Sequence, residues 1–296
     1  MPSDPCAVAL VTSLRMGQRG WRDTDTPLVQ TALSERGIRA QLLPWHENVD
    51  WSSYALTVLR SPWDMFIEHL DEFFAWLEHV ETQTVVLNAP SVVRRVLDKH
   101  YLKDLAAAGV PVIPTDFIEV GQPPTFPDIN FVVKPVISGG ASHAAQYRAG
   151  EVATATTHVA YLHEQGLAAM VQPYMSSIDA QGEQALMFFN DVYHHAIVKE
   201  AILKPDESFD VVHKLHPGPR PYQPTAAEQS VARAALAVMS SRGELLSGRV
   251  DMVVDANGNP AIMELELIAP VLFLAHSDDG IERFADAICQ RLVRQS

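Results

Sequence analysis

Cysteine is nearly absent. Cys6 and Cys289 are the only two in 296 residues, and they stand near opposite ends. With no CxxC pair, the chain offers neither a disulfide framework nor ordinary zinc spacing. Basic residues are scarce too: Lys plus Arg number 22 against 36 Asp plus Glu, a formal charge of −14. That balance argues against nucleic acid and anionic membranes as partners. No apolar run reaches the length of a membrane span. The first residues, MPSDPCAVALVTS, lack a basic segment followed by a long apolar one. The expectation is therefore no signal peptide and, by default, a cytoplasmic location. HExxH and GxSxG are both missing, which removes two hydrolase readings. What remains, 47% apolar and 20% charged, is ordinary globular composition, and the length allows two or more compact units.

Periodicity divides the chain. CAVALVTS reads as a buried strand and Asp23 to Ile38 as a helix, with Pro27 in its first turn and Gly37 at its end. Strands are expected at RAQLLPW, LTVLRSPWD and TVVLNAP, with a helix over Phe66 to Glu81. This alternation predicts an α/β unit over roughly the first 90 residues. Ser91 to Val110 reads as one helix. A strand at PVIPTDFIEV, a strand–turn–strand over Phe131 to Arg148, a helix at EVATATTHVAYLHEQG and a strand over Ala168 to Met175 make a small mixed unit. Gln184 to Leu203 alternates like a hairpin turning at Asn190 and Asp191. Glu207 to Thr225, rich in Pro and His, reads as irregular. A helix follows at AAEQSVARAALAVMSSRG, then the hairpin GRVDMVVDANGNPAIMELEL, then a helix from Gly280 to Gln295. The last unit is thus mainly antiparallel, and clefts commonly form between such units.

The hairpin poses the chemical question. Glu264 and Glu266 alternate onto one face of a strand, and Asp251 lies on its partner strand. Like charges on an apolar sheet need compensation. One answer is a hard cation such as Mg²⁺, which takes oxygen ligands; the other is pairing with Arg249 and a lysine. Lys134 in FVVKP, followed by SGGAS, suits a phosphate clamp, or else snorkels beside a plain hairpin turn. Lys99 fits a solvated helix face, and Lys199 lies on an apolar strand. Histidines 194, 195, 213, 216 and 276 form no motif. Together, separated lysines, a glycine-rich turn and late carboxylates are what a nucleotide-triphosphate site requires.

The order of DKHYLKDLAAAGVPVIPT, FVVKPVISGG, MVQPYM, GRVDMVV and MELEL resembles the ATP-grasp superfamily of carboxylate–amine ligases over nearly the whole chain. DTDTPLVQTALSERGI, LRSPWD, GEQALMFF and MELELIAPVLFL look like a small subgroup within it, one that closes O-ureido-D-serine to D-cycloserine. The resemblance implies a mixed α/β fold: an N-terminal α/β substrate domain at 1–95, a lid domain at 96–172 and a C-terminal antiparallel-sheet domain at 173–296. It implies ATP and Mg²⁺ as cofactors and a small amino-acid-like substrate, with a homo-oligomer as the ordinary expectation. Lys99 and Lys134 would match the nucleotide lysines, beside Ser138, Gly139 and Gly140 of the lid turn. Gln172, Pro173 and Tyr174 would form the adenine hinge, and Glu183 or Asp179 would hold the ribose. Asp251, Glu264 and Glu266 would hold metal, with Glu266 standing where many of these ligases have Asn. Arg249 and Lys199 would face the transferred phosphoryl group or the substrate carboxylate. Arg60, Ser61 and Trp63, after the third strand, would contact substrate. The lid turn and the segment around His213 and His216 are candidate covers. An intermolecular ligase and a non-catalytic nucleotide-binding protein remain as alternatives.

Overall fold

Strands whose residues are buried on both faces lead the chain, and they pair in parallel. In a computed structural model, which describes residues 7–13, 23–209, 218–241 and 243–293, β1 (Ala7–Thr12), α1 (Thr26–Glu35), β2 (Arg39–Pro44), β3 (Leu56–Ser61), α2 (Met65–Glu68), α3 (Leu70–Val80) and β4 (Val85–Leu87) form the first unit. Its sheet runs β2-β1-β3-β4, all parallel. β1 and β3 are buried throughout, as a covered parallel sheet requires. Val8 and Leu10 face a layer that includes Leu33 and Phe284, while Ala7, Ala9 and Val11 face the opposite core. Pro27 lies in the first turn of α1, and Gly37, at φ +74°, follows its end. The helix expected over Phe66 to Glu81 divides at His69.

The helix expected over Ser91 to Val110 is two helices, α4 (Pro90–Leu97) and α5 (Tyr101–Ala107). Asp98 breaks it by accepting from the His100 backbone N–H and facing its ring, and the Lys99 N–H donates to Val136 O at 3.2 Å. Side-chain capture of the backbone competes with the helix.

The second sheet, β5-β8-β6-β7, comes from β5 (Asp116–Ile118), β6 (Phe131–Pro135), β7 (Ala145–Tyr147), α6 (Val152–Glu164) and β8 (Ala169–Pro173). His158 on α6 is fully buried here, stacked on Phe209 at 4.4 Å. Its Nε2 donates to His143 O, so its Nδ1 accepts from the Tyr147 hydroxyl, each at 3.0 Å. Burial lowers its pKa to about 4. The unfolded chain takes up this proton near pH 6.5, so stability is full above that pH and falls as pH drops toward 4. The effect is about 3 kcal/mol. Chemical denaturation from pH 7 to 4.5 should show a decline that is shallower in His158→Gln.

The third sheet, β11-β10-β9-β12-β13, is antiparallel. Its elements are α7 (Ser177–Gln181), β9 (Glu183–Phe189), β10 (Val192–Lys199), β11 (Arg220–Tyr222), α8 (Ala226–Met239), β12 (Ser247–Val254), β13 (Pro260–Glu266) and α9 (Gly280–Val293). Asn190 and Asp191 turn the β9–β10 hairpin with φ of +48° and +67°, the left-handed pair a two-residue hairpin needs. One expectation needs correction here, and one element was not expected. The Pro/His segment contains a strand, β11, and α7 is an additional short helix. Cys6, His213 and His216 lie outside the described residues. Among the described residues, no helix is long and apolar enough to cross a membrane.

Asn88 joins the first sheet to the third. Its Oδ1 accepts from the N–H groups of Leu246 and Ser247, and its Nδ2 donates to the carbonyls of Ser247 and Leu267. Asn88→Ala would strand four buried backbone groups. The expected cost is about 2–4 kcal/mol in urea unfolding.

Candidate active site

Strand alternation gathers the charges. In register, Glu183 faces Lys199, Asp251 faces Glu264 and Arg249 faces Glu266. Asp251 also pairs with Ala185, two residues from Glu183, so the same sheet face carries all six side chains. Lys199, 2% exposed, is held between Glu183 and Asp251, with its Nζ 2.9 Å from Asp251 Oδ2. Arg249 grips Asp251 through Nε at 2.8 Å and Nη2 at 2.9 Å, and reaches Glu266 at 3.2 Å. Lys99 lies 3.1 Å from Glu264 and donates to Ser138 O at 2.9 Å. The helix break therefore delivers Lys99, 3% exposed, into the site rather than onto a solvated face.

Four acids, Glu183, Asp251, Glu264 and Glu266, meet four bases, Lys99, Lys134, Lys199 and Arg249, and exposed Glu200 adds a fifth carboxylate to the cleft lining. Burial depresses Lys134, against the opposing pull of Glu264. Burial opposes the charge on Lys199 as well, but Asp251 and Glu183 outweigh it and raise its pKa. Glu183 is raised to about 7, chiefly by burial. Burial would raise Asp251, yet Arg249 and Lys199 hold it well below the usual carboxylate range. Glu266 is raised, by burial first.

This face floors a cleft under the second sheet, with about 1000 Å³ of non-protein space open to solvent. Lys134, Ser138, Gly139, Gly140, Gln172, Pro173, Tyr174, Glu183, Lys199, Arg249, Asp251, Glu264 and Glu266 line it. Periodicity does not single out the apolar wall: Ile113, Val132, Met175, Ile178, Leu203 and Met263. Met263 reaches the cleft because the β12–β13 register slips after Asp251, a bulge that re-aims a side chain. At the rim, a Cβ on Gly139 would come within 3.1 Å of the Phe66 ring, so the lid turn rests on the first unit.

Other expected residues lie elsewhere. Asp179 is exposed outside the cleft and accepts the Tyr174 hydroxyl at 2.6 Å; Glu183 is the candidate ribose acid that lies inside. Arg60 and Ser61 are buried in the first unit, away from the cleft. Arg60 Nε donates to Thr26 Oγ1, its guanidinium feels Asp23 and Asp25, and it stacks 4.8 Å from the Phe284 ring centroid. Ser61 Oγ donates to Thr12 Oγ1 at 3.0 Å. Trp63 instead crosses to the third unit, donating to Ala269 O at 2.8 Å. That carbonyl belongs to the loop after β13, which an unpatterned apolar sequence conceals.

The carboxylates suit a hard divalent cation. Asp251, Glu264 and Glu266 line the cleft, and Glu264 and Glu266 each give one oxygen to a cation. Among the described residues, no three acids or histidines converge on one point, because Lys99 and Arg249 intervene.

Comparison with known proteins narrows the chemistry. Residues 8–88 match the family model for the N-terminal domain of D-cycloserine synthetase DcsG. The chain is 39% identical over 286 residues to the cycloserine biosynthesis protein DcsG of Streptomyces lavendulae, covering 91% of this chain and 94% of that protein. A crystal structure of D-cycloserine synthetase DcsG superposes with a TM-score of 0.85 at 37% identity, covering 97% of this chain and 99% of that one. More distant structures share the fold alone. The ATP-grasp ligase PsnB, complexed with precursor peptide PsnA2 and AMPPNP, has a TM-score of 0.62 at 16% identity, covering 100% and 98% of the two chains. A D-alanine–D-alanine ligase from Bacillus anthracis, complexed with ATP, has 0.62 at 13%, covering 98% of each.

Proposed function

We propose that this chain, which belongs to the D-cycloserine synthetase family of ATP-grasp ligases, uses ATP to close O-ureido-D-serine to D-cycloserine. The observation that carries the reading is the buried face on which Lys99, Lys134, Lys199 and Arg249 balance four carboxylates beneath the lid turn. A face whose bases are already matched by carboxylates cannot accept a bare triphosphate cheaply, but it can accept one together with a divalent cation. Glu264, Glu266 and the remaining lone pair of Asp251 would hold Mg²⁺, which would supply positive charge to offset that of the phosphates.

Lys134, without a carboxylate at ion-pair distance among the described residues, is the base most available to phosphate, and Lys99 would join it on leaving Glu264. The apolar wall suits an adenine ring, with the backbone at Gln172 to Tyr174 as the hinge and Glu183 toward the ribose. Lys199 and Arg249 would steady the γ-phosphoryl group as the substrate carboxylate attacks it, giving an acyl phosphate and ADP. The oxygen-linked ureido nitrogen of the same molecule then attacks the acyl carbon, losing its proton as phosphate leaves, and water then cleaves the carbamoyl C–N bond, releasing carbamic acid, which breaks down to carbon dioxide and ammonia. Holding both reacting ends in one molecule supplies proximity, and the lid turn against Phe66 keeps water from the acyl phosphate. Trp63 would border the substrate end. Arg60 and Ser61 would support it by fixing the start of α1. The test is ADP release with ATP, Mg²⁺ and O-ureido-D-serine as sole amino-acid substrate, with D-cycloserine identified by mass. ADP release that requires a second amine would favour an intermolecular ligase instead.

A further inference from the structure

The loop after β13 is fastened at four points by parts of the protein that are far apart in sequence. Trp63 holds Ala269 O. Arg249 Nη1 donates to Val271 O at 3.1 Å. His195 Nε2 lies 3.0 Å from Leu272 O and 3.3 Å from Phe273 O. The Leu274 N–H donates to Asp25 at 3.1 Å. Two of these residues meet Arg249 directly, since its guanidinium also lies 5.8 Å from the Phe273 ring centroid. Phe273 has φ +49°, a conformation a bulky side chain rarely holds without outside restraint.

His195 supplies that restraint, and a second histidine sets its orientation. The β9–β10 register slips between Tyr193 and His195, so His194 is an extra residue in the strand. Such bulges re-aim side chains. Here the bulge brings the two rings together nearly perpendicular, with Nδ1 to Nδ1 at 2.8 Å. Carbonyl oxygens only accept, so the proton of neutral His195 is on Nε2 and its Nδ1 accepts from His194 Nδ1–H. Burial keeps His195 neutral, with a pKa of about 4. Stacking on Phe189 at 4.9 Å braces the His194 ring in turn, and its Nε2, 3.2 Å from Asp279, donates there only when His194 is protonated.

We infer that His195, oriented by His194, is a positioning residue that fixes the Leu272 and Phe273 carbonyls, next to the Val271 carbonyl that Arg249 grips, and thereby aims Arg249 at the substrate end of the cleft. His195 does not line the cleft and touches no reacting group. Its effect passes through the loop, and it rests on the reading of Arg249 given above. The loop's fastenings are Trp63, Arg249, His195 and Asp25 rather than Lys99 and Lys134, so the effect falls on the transfer step and the amino-acid substrate while the binding of ATP is spared.

His195→Phe keeps a ring and loses the donor, whereas His195→Gln keeps an N–H at similar reach. His195→Phe should lower kcat/KM for O-ureido-D-serine by about tenfold to a hundredfold, with KM for ATP within about twofold. Hydrogen exchange at residues 270–276 should accelerate in the same variant. His195→Gln should restore most of both. Should His195→Phe fail to fold, His194→Leu, altering the half-buried brace, should move both readouts the same way by a smaller factor. Unchanged kinetics with unchanged loop exchange, or a rise in KM for ATP as large as that for the amino acid, would overturn the inference, as would failure of His195→Gln to rescue a folded His195→Phe. If wild type itself does not turn over O-ureido-D-serine, the functional reading fails, while loop exchange still decides the role of His195.

Discussion

Lys199→Met is expected to stop ADP formation, lowering kcat by about a thousandfold, and to weaken the fold as well. Lys199 is buried between Glu183 and Asp251. Removing one partner of a buried ion network leaves charge uncompensated, at a cost of about 3–5 kcal/mol. The loss should depend on pH. Glu183 already sits at about 7 because of burial, and without Lys199 it rises further. Protonated Glu183 needs no counter-charge, so the variant loses less stability at pH 6 than at pH 8. Urea unfolding at both values measures this. An equal loss at the two would show that Glu183 does not answer for the missing lysine.

Glu264→Gln should separate activity from folding. The amide keeps an oxygen at the position that Lys99 reaches at 3.1 Å, so stability should stay within about 1 kcal/mol of wild type. The lost charge faces the cleft, where the cation would bind. ADP release should therefore fall at least about a hundredfold even at saturating ATP, with a higher Mg²⁺ requirement for whatever activity remains. Turnover like wild type would remove Glu264 from the proposed metal set.

Much of this face was legible because strand period and charge coincide. Glu264 and Glu266 alternate in MELEL, and Arg249 and Asp251 alternate in RVD, so one register aligns all four. The parallel strands were legible for the same local reason: CAVALVTS and LTVLRS are apolar without alternation. What sequence concealed depends on distant partners. No Gly or Pro marks the break at Lys99, and its meaning comes from Glu264, 165 positions on. Arg60 at a strand end looks ready for substrate, yet Asp23, Asp25 and Phe284 enclose it. Asp179 and Glu183 are equivalent in composition, and only the course of α7 leaves one outside the cleft. The loop holding Ala269 to Phe273 reads as unpatterned apolar sequence because its constraints are carbonyl hydrogen bonds, to which side-chain identity is nearly blind. The adjacent histidines at 194 and 195 were the available signal.

The most direct test of the charge-paired face is a crystal structure of the protein with a non-hydrolysable ATP analogue and Mg²⁺. The account predicts phosphates beside Lys134 with Lys99 moved off Glu264, and the ion on Glu264, Glu266 and Asp251. A triphosphate bound elsewhere, with those three carboxylates still paired only to Lys99, Lys199 and Arg249, would contradict it.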